Sequence, residues 1–332
     1  VSVPGGHMAG SVAKACHTID EAVSFVEEIE ADHPDLIKLM ITGGVLDAKE
    51  KGVPGELKMP AEMVKACCDK AHEQGFKVAA HVESTEGVLV ALKNGVDSIE
   101  HGAKPTDEMI ENIRKDVSKD IKRIIAIGGG TIIDISKFLL LDYEGTIDQV
   151  ILHEIPYKKT KKLYVVPTTC GTGSEVTNVA ISELKKRKTK KGLADDLIYP
   201  DKALLIPEMV ETLPYKFFAT SSIDALIHSV ESYLSPNSTL YSRMFSVKAM
   251  TMILNGFKKV VRDGKENWSQ YAKEFLIASN LAGIAFGNAG CAAVHALSYP
   301  LGGAYHIPHG EANQLMFESV YNKYYEKDPT GR

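Results

Sequence analysis

Residues 122–141 read KRIIAIGGGTIIDISKFLLL. An apolar run from Ile124 to Ile127 stops at three glycines, and apolar residues then recur at helical spacing. The pattern predicts a strand, a tight turn and a helix. Glycines let a backbone approach a phosphate, and the first turn of a helix offers free N–H groups and positive partial charge. A pyrophosphate would sit well on this turn. The same glycines would also serve a plain βα turn, and the usual G-x-G-x-x-G spacing is absent.

Working outward, KKLYVVPTTCGTGSEV (161–176) again runs from strand to polar turn. Ligands gather at the C-terminal strand ends of open parallel sheets, so this second turn, dense in hydroxyls and glycine, joins the candidate dinucleotide site. PTDEMIENIRKDV (105–117) predicts a helix started by Thr106, and ALLIPEMV (203–210) a short strand. Toward the N-terminus, DLIKLMITGG, AEMVKACCDKAHEQG, KVAAHVE, EGVLVALKNG and VDSIEHG give a βαβαβ rhythm. From about residue 211 the strands stop, and four long stretches carry helical periodicity. The expected fold is α/β followed by all-α. Residues 1–103 form a partial (β/α) barrel-like segment, 104–210 a dinucleotide-binding parallel sheet, and 211–332 a helical metal-binding domain. The charge run KKRKTKK (185–191) reads as a solvated hairpin or loop.

The 332 residues are 44% hydrophobic and 24% charged, which is enough for two or three cored domains. A formal net charge of −5 argues against nucleic acid and anionic membrane as partners. No apolar run reaches the roughly 18 residues of a membrane helix. VSVPGGHMAG lacks the pattern of a signal peptide, and it opens without an initiator Met. Five cysteines without a C-x-x-C pair suggest reduced thiols and a cytoplasmic protein.

SSIDALIHSVESY (221–233) sets Asp224 and His228 four apart, on one face of a helix. Such a pair can share a divalent ion, or be an ordinary hydrogen-bonded pair. VHALSYPLGGAYHIPHG (294–310) clusters His295, His306 and His309. A helix offering His295, with the Gly302–Gly303 turn returning His309, would complete an Asp–His–His–His set with a position open for substrate.

GGGTIIDISK, PTTCGTGSEVTN, DALIHSVESY and GNAGCAAVHALSYPLGGAYHIPHGEAN together resemble the iron-containing, group III alcohol dehydrogenases, over about 104–332. The 4-hydroxybutyrate branch fits best. The resemblance implies NAD bound at the two turns, by Gly128, Gly129, Gly130, Thr131 and Asp134 at the first and Thr168, Thr169 and Thr172 at the second, with Lys191 near the cofactor. It implies Fe²⁺ or Zn²⁺ on Asp224, His228, His295 and His309, polarising the oxygen of a small alcohol or aldehyde, and a homo-oligomer. Many members carry histidine before the proline where this chain has Tyr299, a change that the hydroxybutyrate branch shares. Tyr299 and His306 are then the candidate proton relay. The early βα units of the family are missing and the last helices look truncated.

PGGHMAG, DLIKLMITGG and FKVAAHVESTEGVLVALKNGVDSIEHG resemble instead a fragment of metal-dependent amidohydrolases of the imidazolonepropionase and prolidase-like type. That resemblance implies metal binding at Lys38, His81 and His101, with His7 near a substrate, although the first-strand H-x-H and the last-strand aspartate are missing. The alternatives to a dehydrogenase are therefore a hydrolase of dipeptides or cyclic amides, or an inactive fusion of two fragments joined near EHGAKPTDEM (100–109).

Overall fold

Alternation of apolar strands and amphipathic helices builds two units, Val1–Val117 and Ser118–Arg332. The computed structural model describes residues 1–44, 55–101, 106–184, 187, 189–304, 307 and 309–329.

The first unit contains α1 (Ile19–Ile29), β1 (Leu36–Met40), α2 (Ala61–Glu73), β2 (Lys77–Val82), α3 (Thr85–Lys93), β3 (Ser98–His101) and α4 (Asp107–Asp116). The three strands are parallel in the order β1-β2-β3, with helices as crossovers, as the βαβαβ rhythm predicts. Capping hydroxyls set the helix starts: Thr18 accepts from Glu21 N–H, Ser84 from Gly87 N–H and Thr106 from Met109 N–H. Gly75 follows α2 at φ +84°, a left-handed stop that glycine adopts without strain. Ile37, Leu39, Val78, Ala80 and Val82 are buried, as are Val64, Cys67 and Cys68 of α2. Asp97 anchors the start of β2, accepting from Val78 N–H at 2.9 Å and Lys77 Nζ at 2.7 Å. Helix α4 packs on α3 and stays with the strands before it, whereas the sequence reading opened the next region at residue 104.

The second unit opens with β4 (Arg123–Gly128) and α5 (Gly130–Phe138), then β5 (Leu141–Tyr143), α6 (Ile147–Ile151), β6 (Tyr157–Lys159) and β7 (Lys162–Pro167). Strands β8 (Val179–Leu184), β9 (Thr189–Ala194) and β10 (Lys202–Ala203) follow. A parallel sheet runs β10-β7-β4, with Gly128 opposite Pro167, so the glycine turn and the threonine turn leave neighbouring strands at one level. The side chains of β4 alternate: Ala126 is buried, while Ile125 and Ile127 are exposed on an edge strand. Strands β8 and β9 form an antiparallel ladder, as expected of a hairpin, and Lys185, Lys186 and Lys188 of the basic run lie outside the described residues. The ALLIPEMV strand shrinks to two residues, and Pro207, which has no N–H for a ladder, starts a short 3₁₀ turn.

Five helices complete this unit: α7 (Tyr215–Leu234), α8 (Leu240–Asp263), α9 (Ala272–Ala289), α10 (Ala293–Ala304) and α11 (His309–Lys327). Phe218 stacks on Trp268 at 4.0 Å and meets Phe275 edge-on at 4.7 Å, which fixes α7 against α9. A second cluster of Ile227, Val294 and Val320 locks α7, α10 and α11 together. Gly302 and Gly303 lie inside α10, not in the turn expected of them. Among the described residues no single helix is long and apolar enough to cross a membrane.

Candidate metal centre

Helix α7 buries a polar stripe. Asp224, His228 and Glu231 follow at i, i+4 and i+7, and each is less than a tenth exposed. Helix α10 brings His295 to this stripe and the first residue of α11 brings His309. Asp224 Oδ1 stands 3.6 Å from His295 Nε2 and 3.8 Å from His309 Nε2, and Oδ2 is 4.0 Å from His228 Nδ1. The rings of His228 and His295 stack at 4.3 Å. The four residues singled out from the sequence thus converge.

Two of the ring nitrogens in this cluster are unsatisfied by protein. His228 Nδ1 and His295 Nε2 are buried without a hydrogen-bond partner. Each such orphan costs about 1–3 kcal/mol, a cost that a bound cation offsets. Burial alone would raise the Asp224 carboxyl, but His228, His295 and His309 hold it below the usual carboxylate range. Burial pushes His228 down to about 3, leaving a neutral imidazole with a free lone pair. Burial also opposes charge on His295, yet Asp224 and Glu231 lift it well above the ordinary histidine range. Two carboxylates, Asp224 and Glu231, thus flank the buried imidazoles, and neutral His228 offers its lone pair. One carboxylate and three imidazoles form a donor set that suits Fe²⁺ or Zn²⁺.

Three further residues complete the centre and were not read from the sequence. Glu231 takes His295 Nδ1 at 2.5 Å on Oε2 and Val294 N–H at 2.6 Å on Oε1, which turns Nε2 toward Asp224. Asn313, one turn after His309, donates to Asp224 Oδ1 at 2.6 Å. Cys291 groups with His228 and His295, their ligand atoms all within 4.8 Å of one another, while Asp224, His295 and His309 form a second such group. The i+7 and i+4 spacings of Glu231 and Asn313 were visible, but their burial was not. Tyr299 lies parallel to the His309 ring at 5.8 Å, and burial pushes its hydroxyl upward. His306 lies outside the described residues.

The two turns also meet. Thr168 N–H donates to Gly128 O at 3.1 Å. A Cβ on Gly129 would touch the Thr169 methyl at 3.2 Å, and one on Gly130 would strike that of Thr172 at 2.8 Å. Thr131 lies in the first turn of α5, which Gly130 begins. Asp134 has a different occupation from the one its position suggested. Its carboxylate accepts from Ser174 Oγ at 2.6 Å and Ile181 N–H at 3.0 Å, tying the threonine turn to α5. Lys137, fully buried, donates to Ser174 Oγ, Thr177 Oγ1 and the Val179 carbonyl. Lys191 stands exposed on β9, opposite Ser182.

A family model for the iron-containing alcohol dehydrogenases matches residues 65–207, and a model for the C-terminal part of that family matches 218–331. The chain is 55% identical over 251 residues to 4-hydroxybutyrate dehydrogenase of Clostridium kluyveri, covering 74% of this chain and 67% of that protein. The chain belongs to the iron-containing alcohol dehydrogenase family. It is 36% identical to long-chain-alcohol dehydrogenase 1 of Geobacillus thermodenitrificans over 59% of this chain, and spans 50% of that relative. The fold is shared with the NAD⁺ complex of sulfoacetaldehyde reductase from Bifidobacterium kashiwanohense, at a TM-score of 0.64 and 23% identity, covering 81% of this chain and 74% of that one. It is also shared with NADH-dependent butanol dehydrogenase A from Thermotoga maritima, at 0.62 and 19%, over 98% and 77% of the two chains.

The iron-containing alcohol dehydrogenase model begins inside the stretch likened to amidohydrolases, so His81 and His101 fall within the dehydrogenase match. In the structure His81 is buried and stacks on His7 at 4.2 Å. Lys38 is ion-paired with Glu100, and His101 sits on β3 opposite Val82. The hydrolase reading draws no support from these placements.

Proposed function

We propose that the chain is an NAD- and metal-dependent oxidoreductase interconverting a small alcohol and its aldehyde, with 4-hydroxybutyrate and succinic semialdehyde as the pair. The observation that carries this reading is the convergence of buried Asp224, His228 and His295 with the exposed His309, where His228 and His295 each keep an unpartnered ring nitrogen. The substrate follows from the 55% identity to 4-hydroxybutyrate dehydrogenase.

In this reading those four side chains hold Fe²⁺ or Zn²⁺, with Glu231 and Asn313 orienting them. The metal supplies Lewis-acid polarisation of the substrate oxygen. Gly128, Gly129, Gly130 and Thr131, with Thr168, Thr169 and Thr172, take the cofactor phosphates, and Lys191 serves as a further cofactor contact. Asp134 acts through the threonine turn that it holds. Bound NADH would supply a hydride for the carbonyl carbon, and the chain's own groups would deliver a proton to the oxygen. Tyr299, kept protonated by its raised hydroxyl, and His306 form the relay for that proton.

The proposed organisation is a β/α segment through α4, in place of the 1–103 bound read from the sequence, then a dinucleotide-binding region from Ser118 to residue 210 and a helical metal domain at 211–332. The protein is proposed to be cytoplasmic and homo-oligomeric. Loss of NADH absorbance with succinic semialdehyde tests the activity. Consumption that stops after chelation and returns with Fe²⁺ or Zn²⁺ supports the reading. Full activity after verified metal removal, or none with metal restored, overturns it.

A further inference from the structure

The loop between α9 and α10 places a thiol on the metal centre. Gly290 closes α9 at φ +77°, its N–H donating to Phe286 O at 2.7 Å, and Ser235 Oγ holds the preceding Ala289 carbonyl at 2.5 Å. Cys291 is thereby fixed one helical turn before His295. Its Sγ and a ring nitrogen each of His228 and His295 all lie within 4.8 Å of one another. His228 and His295 are 6% and 4% exposed, and each presents a buried ring nitrogen with no partner. His295 belongs to both triads, one completed by Asp224 and His309 and the other by His228 and Cys291.

We propose that Cys291 is a further ligand of this centre, giving it a soft thiolate beside the carboxylate and imidazoles. The inference rests on the metal-centre reading above and deepens it. A coordinating thiol is deprotonated outright, and soft thiolates select Zn²⁺, Co²⁺ or Fe²⁺ over Mg²⁺ and Ca²⁺. Cys291 is exposed, whereas Cys16, Cys67, Cys68 and Cys170 are buried. It is therefore the thiol that a solvent-borne reagent reaches, and its ligation is readable without any turnover.

The test loads the full chain with Co²⁺ and measures cobalt per chain together with near-ultraviolet absorption. In parallel, mass spectrometry follows iodoacetamide labelling of Cys291 with and without Zn²⁺. The expected result is bound cobalt with a thiolate-to-cobalt charge-transfer band. Cys291→Ser binds cobalt but loses the band, and Zn²⁺ slows alkylation of Cys291 in the parent chain. Bound cobalt with no such band, or a band that survives in Cys291→Ser, overturns the inference while leaving the metal centre standing. Absence of bound cobalt in the parent chain fails the metal-centre reading itself, and this inference with it. Matching circular dichroism of Cys291→Ser and Cys291→Ala separates lost ligation from misfolding.

Discussion

Replacing Glu231 by Gln keeps size and shape but removes one acceptor. The carboxylate now serves two donors, His295 Nδ1 at 2.5 Å and Val294 N–H at 2.6 Å, with the side chain 1% exposed. The Val294 N–H can only donate, so the single amide oxygen of Gln must face it. The amide NH₂ then faces His295 Nδ1. Either two donors oppose each other, or the imidazole moves its proton to Nε2, the atom that faces Asp224. Both outcomes tax metal binding by the cost of a buried unsatisfied group, about 1–3 kcal/mol. At 1.4 kcal/mol per tenfold, this matches the roughly 10–100-fold loss of metal affinity typical of such outer partners. Competition with a chromophoric chelator reads the Zn²⁺ dissociation constant directly. An unchanged constant in a folded Glu231→Gln protein would refute the argument that Glu231 fixes the His295 tautomer.

Further outcomes follow from other sites. Gly173 has φ +57°, and an added Cβ would lie 2.4 Å from Gly283 Cα, so Gly173→Ala should cost more than about 1 kcal/mol; an unchanged melting temperature would contradict this. Burial lowers Lys137 from the ordinary 10.5 to about 8, so between these pH values the unfolded chain holds a proton that the folded chain has released. Stability should therefore rise from pH 8 to 10.5 in the parent chain relative to Lys137→Met, and parallel pH profiles in urea melts would count against it. Burial would raise Asp97, but Lys77, His72 and the Val78 N–H hold it below the usual carboxylate range. Its stabilisation is present above pH 3.8 and fades as pH falls further. Asp97→Asn should thus melt lower at pH 7, with the gap closing in acid; a gap that stays constant would sink the linkage.

Local rules reached much of this fold. The apolar run ending at Gly128, the Thr106 cap and the spacing of Asp224 and His228 each follow from a few neighbouring residues. Elements of two or three residues, such as β5, β6 and β10, bury too little to leave a periodic signal. Gly302 and Gly303 suggested a turn, yet both lie within α10, which packs against α11; tertiary packing overrode their weak helix propensity. The partners of the metal ligands stayed hidden for a related reason. A Glu or Asn on a long helix looks like any solvated polar residue until the fold shows which face is buried. Glu231 and Asn313 are fully buried, and only the packing of α7, α10 and α11 makes them so. Asp134 looked like a ligand contact because it follows the glycines, but its distant partners Ser174 and Ile181 decide its role.

Metal content per chain, compared between the parent protein and Asp224→Asn, probes the central claim most directly. Asp224 faces all three histidines, so the account predicts a single bound Fe²⁺ or Zn²⁺ ion in the parent chain and its loss in the folded variant. A variant that keeps its ion, or a parent chain that takes up none, would contradict it.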